Sequence, residues 1–128
     1  MSGKYRRGSD TPQSRRAERL PQRYDMSLPE NQRKLDAADA LGGLAEEAGL
    51  SLVELALAFV LEHPAVTAAI IGPRTMEQLE GQLGAVDVAL DSKLLDRIDE
   101  IVPPGTNFNR ADAGYVPPAL EDSALRRR

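Results

Sequence analysis

Cysteine is absent from this 128-residue sequence, and so is tryptophan. Without cysteine the chain has neither disulfides nor thiolate metal sites, and its one histidine, His63, cannot build a histidine metal cluster by itself. We therefore predict no metal site. Aromatic residues make up 4% of the chain against 41% for all hydrophobic residues, so a core is expected and must be aliphatic.

Long apolar runs are also missing. The longest run, residues 55–61, is far shorter than the ~20 residues that a membrane span needs. Met1 is followed by basic and polar residues, which predicts no signal peptide. The formal net charge of -4 is mild and gives no general reason to expect nucleic acid. We expect a cytoplasmic protein with neither a membrane nor a nucleic-acid partner.

Residues 1–28 form a basic segment in which seven cations face three carboxylates. Its glycines and prolines break any long helix, so the segment is predicted to be a long loop. The residues alone leave two interpretations open, a solvated arm and an arm ordered by an anionic ligand. A small nucleic-acid binder is disfavoured, because only Tyr5 and Tyr24 interleave with the cations.

The rest of the chain alternates helical patterns with one strand pattern. Helices are predicted from about Pro29 to Gly49, from Ser51 to Pro64, from Thr75 to Gly84 and from Asp91 to about Val102, each bounded by capping residues or breakers. Residues 66–71 are apolar on both faces apart from Thr67, which predicts a short, fully buried strand. A single strand cannot form a sheet, so the pattern indicates a partial structure. The tail from residue 106 predicts a partly ordered extension.

The strand–loop–helix unit over residues 66–83 is the most informative segment. Gly72 lets a ligand approach the backbone, and Arg74 lies in the turn before a helix N-terminus, an arrangement suited to phosphate. Gln78 and Gln82 are four residues apart on one helical face. An ordinary turn between a strand and a helix has the same pattern, and both interpretations stay open at this point.

Three stretches of this sequence, in order, resemble the aldo-keto reductase family. They are SGKYRRG (2–8), LSLVELALAFVLEHPAVTAAIIGPRTMEQLEGQL (50–83) and DSKLLDRIDEIVPPG (91–105). The resemblance is greatest to the branch that includes potassium-channel β subunits and bacterial general reductases. It implies an α/β fold: the helix-rich, last strand–helix units of a (β/α)8 TIM barrel over residues 29–105. Residues 1–28 would then form a loop over the cofactor, and 106–128 a C-terminal extension.

The resemblance also implies NADP(H) as cofactor and a small carbonyl compound as substrate. The positions that match the family's cofactor-phosphate grip are Gly72, Arg74, Gln78, Gln82, Lys4 and either Arg15 or Arg16. Arg74 would face the 2′-phosphate. Gln82 stands where asparagine is more usual, and Gly81 where glutamate is frequent.

The family's catalytic Asp, Tyr, Lys and His have no matching position here, so no catalytic residue is predicted. We expect His63 to serve helix termination. The expected function is an NADP(H)-dependent reductase present as its C-terminal portion, inactive alone. The alternative is a non-catalytic NADP-binding or interaction module that self-associates or docks onto the missing half-barrel.

Overall fold

The computed structural model describes Tyr5, residues 15–109, Asp112 and residues 114–125. The helices of these residues are Arg15–Arg19 (α1), Pro29–Glu47 (α2), Leu52–Leu61 (α3), Met76–Leu83 (α4), Ser92–Ile101 (α5) and Pro118–Glu121 (α6). Turns of 3-10 helix occur at Pro21–Arg23, Gly84–Asp87 and Ser123–Leu125. The predicted loop over residues 1–28 therefore contains α1 and one 3-10 turn, in which Pro21 supplies a favourable first position.

The end of α2 shows why the chain turns back after this long helix. Gly49 adopts a φ of 71°, a conformation that favours glycine. Its N–H donates to the Glu46 carbonyl at 3.0 Å, and the Leu50 N–H donates to the Ala45 carbonyl at 2.9 Å. This pair of bonds is the Schellman arrangement, and it confirms Gly49 as the predicted stop signal.

The starts of α3 and α5 are capped by side chains that the sequence identified. Ser51 Oγ accepts from the Glu54 N–H at 3.1 Å, and Glu54 Oε2 accepts from the Ser51 N–H at 2.8 Å, which completes a capping box. Asp91 Oδ1 accepts from the Leu94 N–H at 2.8 Å. Both predicted N-caps are confirmed.

The core lies where α2 packs against α3 and α5, with the 84–87 turn against α3. Its buried hydrophobic side chains are only leucine, alanine and isoleucine, which confirms the predicted aliphatic core. They are Leu41, Leu44, Ala45, Leu52, Leu55, Ala58, Ala85, Leu90, Leu95 and Ile98.

The predicted buried strand over residues 66–71 is wrong for the chain as described. These residues have no regular secondary structure, and the Ile70 side chain is fully exposed. A strand needs a neighbour that satisfies its backbone groups and covers its faces, and the described residues include no strand. The partial barrel accordingly remains a prediction.

The described residues after α5 include one side chain next to the core and several on the surface. Phe108 lines a cavity beside α2, α3 and α5, whereas α6 and the last 3-10 turn are mostly exposed. None of the helices in the described ranges is long and apolar enough to cross a bilayer. The proposed division at residues 28 and 105 stays a prediction.

Replacing Leu55 by alanine tests the core directly. Leu55 is 1% exposed, so Leu55→Ala should lower the free energy of unfolding by about 2–5 kcal/mol. Val60→Ala is the matched control on the same helix, because Val60 is 44% exposed and should cost about 1 kcal/mol or less. Urea unfolding followed by far-ultraviolet circular dichroism gives both values. Equal losses would contradict the described packing of α3.

The capping box at α3 predicts a pH effect. The Ser51 backbone N–H, and then its hydroxyl, lower the pKa of Glu54 below its ordinary value. The stabilisation is therefore present above about pH 4.3, where an unfolded glutamate ionises, and is lost as pH falls through the lower folded pKa. Glu54→Gln should flatten the pH dependence of unfolding in this acid range, whereas Glu62→Gln, at the other end of α3, should not. An unchanged profile for Glu54→Gln would overturn this assignment.

Candidate functional site

The turn from Gly72 into α4 is the centre of the candidate site. Thr75 has an extended backbone and its Oγ1 accepts from the Gln78 N–H at 3.2 Å, which confirms Thr75 as the helix N-cap. The Gln78 side chain does not bond back to the Thr75 N–H, so no capping box forms at α4. Its Oε1 accepts instead from the Arg74 N–H at 2.9 Å. Gln78 therefore holds the backbone of the residue before the cap and fixes the turn that carries Arg74.

Arg74 presents its side chain to solvent beside this helix N-terminus. Among the described residues no carboxylate forms an ion pair with its guanidinium. The helix dipole and the arginine both add positive charge at the same place. Arg74 can offer parallel N–H donors, so the turn suits an anion with two or three acceptor oxygens.

Gln82 lies one turn further along α4 in a different environment from Gln78. Its Oε1 is buried and has no hydrogen-bond partner in the described part of the chain. It lines a cavity of about 240 Å³ together with Val53, Ala56, Leu57, Ile70, Ile71 and Gly72. A buried acceptor without a donor is unfavourable, so the described residues leave Gln82 Oε1 unsatisfied beside this cavity.

Gly72 lies where this cavity meets the turn. A Cβ atom added at Gly72 would meet nothing within 4 Å, so the glycine leaves open space at the backbone. Gly72, Arg74, Gln78 and Gln82 thus lie close together in the sequence, in the turn before α4 and on α4 itself. Their role in binding a cofactor stays a prediction. Gln78 and Gln82 nevertheless differ in what they offer, because one side chain is exposed and the other faces an apolar cavity.

Fewer of the predicted site residues in the basic segment are described. Lys4 and the Arg15 side chain lie outside the described residues, and Arg16 is exposed on α1. Within the described ranges no hydrogen bond or ion pair joins Arg16 to the Arg74 turn. The predicted contribution of these three residues therefore stays a prediction.

His63, Tyr5 and Tyr24 each make a described contact, whereas Tyr115 lies on the surface. His63 Nδ1 accepts from the Ala65 N–H at 3.1 Å directly after α3, in keeping with a role in ending the helix. The rings of Tyr5 and Tyr24 are 5.2 Å apart and tilted by 38°, and Tyr115 is exposed. Among the described residues no group of three or more His, Asp or Glu side chains could hold a metal ion.

A polar cluster around Asn31 was not predicted from the sequence. Asn31 is 1% exposed, and its Nδ2 donates to the carbonyls of Gln22 and Asp25, both at 2.8 Å. Lys34 Nζ donates to Asn31 Oδ1 at 3.1 Å and also to Asp112 Oδ2. An asparagine in the first turn of a helix usually indicates a local cap, so the sequence did not indicate that Asn31 and Lys34 together connect α2 to residues 22–25 and to Asp112.

Comparison with known proteins gives a family and several relatives. Residues 1–103 match the model described as Aldo/keto reductase family. Over 60 residues the chain is 45% identical to "Uncharacterized oxidoreductase YrpG" of Bacillus subtilis, covering 47% of this chain and 18% of that protein. It is 32% identical over 92 residues to a putative voltage-gated potassium channel subunit beta of Schizosaccharomyces pombe, covering 70% and 26%. With a probable voltage-gated potassium channel subunit beta of Arabidopsis thaliana the identity is 30% over 105 residues, covering 80% and 31%.

The chain therefore spans less than a third of the length of each of these relatives. The family match nevertheless covers most of this chain. It includes α2 to α5, the unpaired residues 66–71 and the turn that carries Arg74. On this match the chain belongs to the aldo/keto reductase family.

Proposed function

We propose that this chain is the cofactor-phosphate-binding part of an NADP(H)-dependent aldo-keto reductase. The observation that carries the proposal is the turn before α4. There an exposed arginine, which forms no ion pair with any described carboxylate, lies beside a capped helix N-terminus, with an open glycine backbone next to it. The family's use of nicotinamide cofactors supports the same ligand.

The residues of the turn fit the adenosine end of NADP(H). Arg74 would bind the 2′-phosphate, which distinguishes NADP from NAD. Gln78 would keep the turn rigid through the Arg74 N–H and offer its amide N–H groups to the ligand. The unpartnered Gln82 Oε1 would accept from a donor group of the nucleotide. Lys4 and Arg15 or Arg16 would close over the pyrophosphate.

The cofactor, when bound, supplies hydride transfer to a carbonyl carbon of a small aldehyde or ketone. The side chain that donates the proton to the carbonyl oxygen, a tyrosine in this family, would come from outside this chain. None of the described tyrosines lies in the Arg74 turn or the cavity beside it. The role of these 128 residues would be to bind and orient the cofactor.

A second candidate function is a non-catalytic NADP-binding or interaction module that docks with a partner chain. The fully exposed Ile70 in an unpaired apolar segment favours it, because such a segment can add to the edge of another sheet. Two of the relatives are named as channel subunits, so a subunit role has a precedent in the family. The exposed segment 66–71 could in the same way pair with a second copy of this chain.

Replacing Arg74 tests the 2′-phosphate role. Arg74→Ala should weaken NADPH binding by about tenfold to a hundredfold, because a charge-assisted bond of about 1.5–3 kcal/mol is lost, and should leave NADH binding nearly unchanged. Arg74→Lys should fall between, since it keeps the charge but not the planar fork. Arg33→Ala, which removes an exposed arginine of α2, is the control. Calorimetric titration with both nucleotides gives the ratio, and equal weakening of both would exclude the role.

Catalysis is tested separately from binding. The 128-residue chain should give no NADPH oxidation, followed by absorbance, with a panel of aldehydes and ketones. A complete family member assayed in parallel is the control for the substrates. Turnover by the pure chain would show that its own residues supply the proton donor, and would overturn the assignment of catalysis to residues outside it.

A further inference from the structure

Asp112 joins the C-terminal extension to the basic end of the molecule. Arg23 Nη2 donates to the Asp112 carbonyl at 2.7 Å, and Arg23 Nε lies 3.4 Å from Asp112 Oδ1. Lys34 Nζ binds the other carboxylate oxygen. The three side chains are 23–33% exposed, so water and salt weaken these ion pairs less than those on an open surface.

The same cluster fixes the segment that leads from the basic residues into α2. The buried Asn31 holds the carbonyls of Gln22 and Asp25, and its own Oδ1 accepts from Lys34. In the sequence, Arg23 lies between Gln22 and Asp25, whose carbonyls Asn31 binds. Its orientation is therefore set on one side by α2 and on the other by Asp112.

The segment also contacts the beginning of the chain. Tyr24 stacks against Tyr5 with ring centres 5.2 Å apart, and Tyr5 follows Lys4 directly in the sequence. On the other side, α1 with Arg16 ends two residues before Pro21. Residues 21–25 thus connect α1, which carries Arg16, to α2, and Tyr24 of this segment contacts Tyr5.

The extension has a second anchor in Phe108, which lines an apolar cavity of about 330 Å³ between α2, α3 and α5. The apolar contacts of Phe108 do not fix an orientation, because hydrophobic burial is non-directional. The hydrogen bonds of Asp112 to Arg23 and Lys34 are directional. Both residues lie beyond the family match, which ends at residue 103.

We propose that Asp112 is a positioning residue for cofactor binding: it fastens the C-terminal extension onto Arg23 and Lys34 and so holds in place residues 21–25, which connect α1 and its Arg16 to α2. This inference rests on the proposed function, because it takes NADP(H) as the ligand of that segment. Asp112 acts through Arg23 and touches no cofactor atom. The Asp112 carboxylate also neutralises nearby cations, which by itself would weaken the binding of an anionic ligand. Positioning therefore predicts that Asp112→Asn weakens binding, whereas neutralisation predicts that it tightens binding.

The first measurement is amide hydrogen exchange of the chain with and without Asp112→Asn. Loss of the carboxylate should speed exchange at the Arg23 and Tyr24 amides, which donate to Leu20 and Pro21. Exchange in the core of α3 should not change. Glu121→Gln removes an exposed carboxylate from the same extension and should change neither region. Unchanged exchange at residues 23 and 24 would overturn the positioning role.

The second measurement is the affinity for NADPH and NADH by calorimetry. Asp112→Asn should weaken both nucleotides about threefold to tenfold, and by the same factor, because the basic segment faces the shared pyrophosphate. Asp112→Glu should restore most of the affinity. In a double-mutant cycle, Arg23→Gln and Asp112→Asn should be markedly less than additive.

The outcomes separate this inference from the proposed function. Tighter binding by Asp112→Asn would show that the carboxylate merely competes for the cations, and unchanged binding would show no coupling; either overturns the inference. If the unaltered chain binds neither nucleotide, the proposed function fails, and the cofactor role of Asp112 fails with it. The exchange measurement still decides whether the extension is fastened at residue 23.

Discussion

The apolar surface of α3 is the constraint on which the rest of the structure depends. From Leu52 to Leu61 only Glu54 is polar, so the helix must be covered on more than one side. One side is covered by α2 and by the 84–87 turn, and Leu55 and Ala58 are buried there. The other side carries Val60, which is 44% exposed, and Val53 and Leu57, which line the cavity beside residues 70–72. An apolar surface of this kind in an aldo/keto reductase favours a further part of the barrel as its natural cover.

The candidate site depends on the same incomplete packing. Residues 66–71 connect α3 to the Arg74 turn, and in the described residues they have no strand to pair with. The turn itself is nevertheless organised, because Thr75 caps α4 and Gln78 holds the Arg74 N–H. Local hydrogen bonds therefore suffice to shape the turn that carries Arg74. The orientation of this turn relative to a nicotinamide site would require the rest of the barrel.

Structural features that depend on residues close together in the sequence were predicted correctly. The Ser51 and Asp91 caps, the Gly49 stop and the aliphatic core all follow from local spacing and composition. The buried strand was wrong because strand formation depends on distant partners, and the apolar pattern of residues 66–71 cannot report whether they are present. Asp112 was missed for the same reason, since its contacts with Arg23 and Lys34 join residues far apart in sequence. The choice of NADP(H) as the proposed ligand rests on the family resemblance, because the spacing of the residues alone did not identify a ligand.

The central claim is that the turn before α4 binds the 2′-phosphorylated adenosine end of NADP. The most direct test is a titration of the isotope-labelled chain with an adenosine nucleotide that carries a 2′-phosphate, followed by NMR amide shifts. The account predicts saturable shifts centred on residues 72–82, with an adenosine nucleotide lacking that phosphate binding at least about tenfold more weakly. Shifts that are the same for both nucleotides, or that leave residues 72–82 unperturbed, would contradict it.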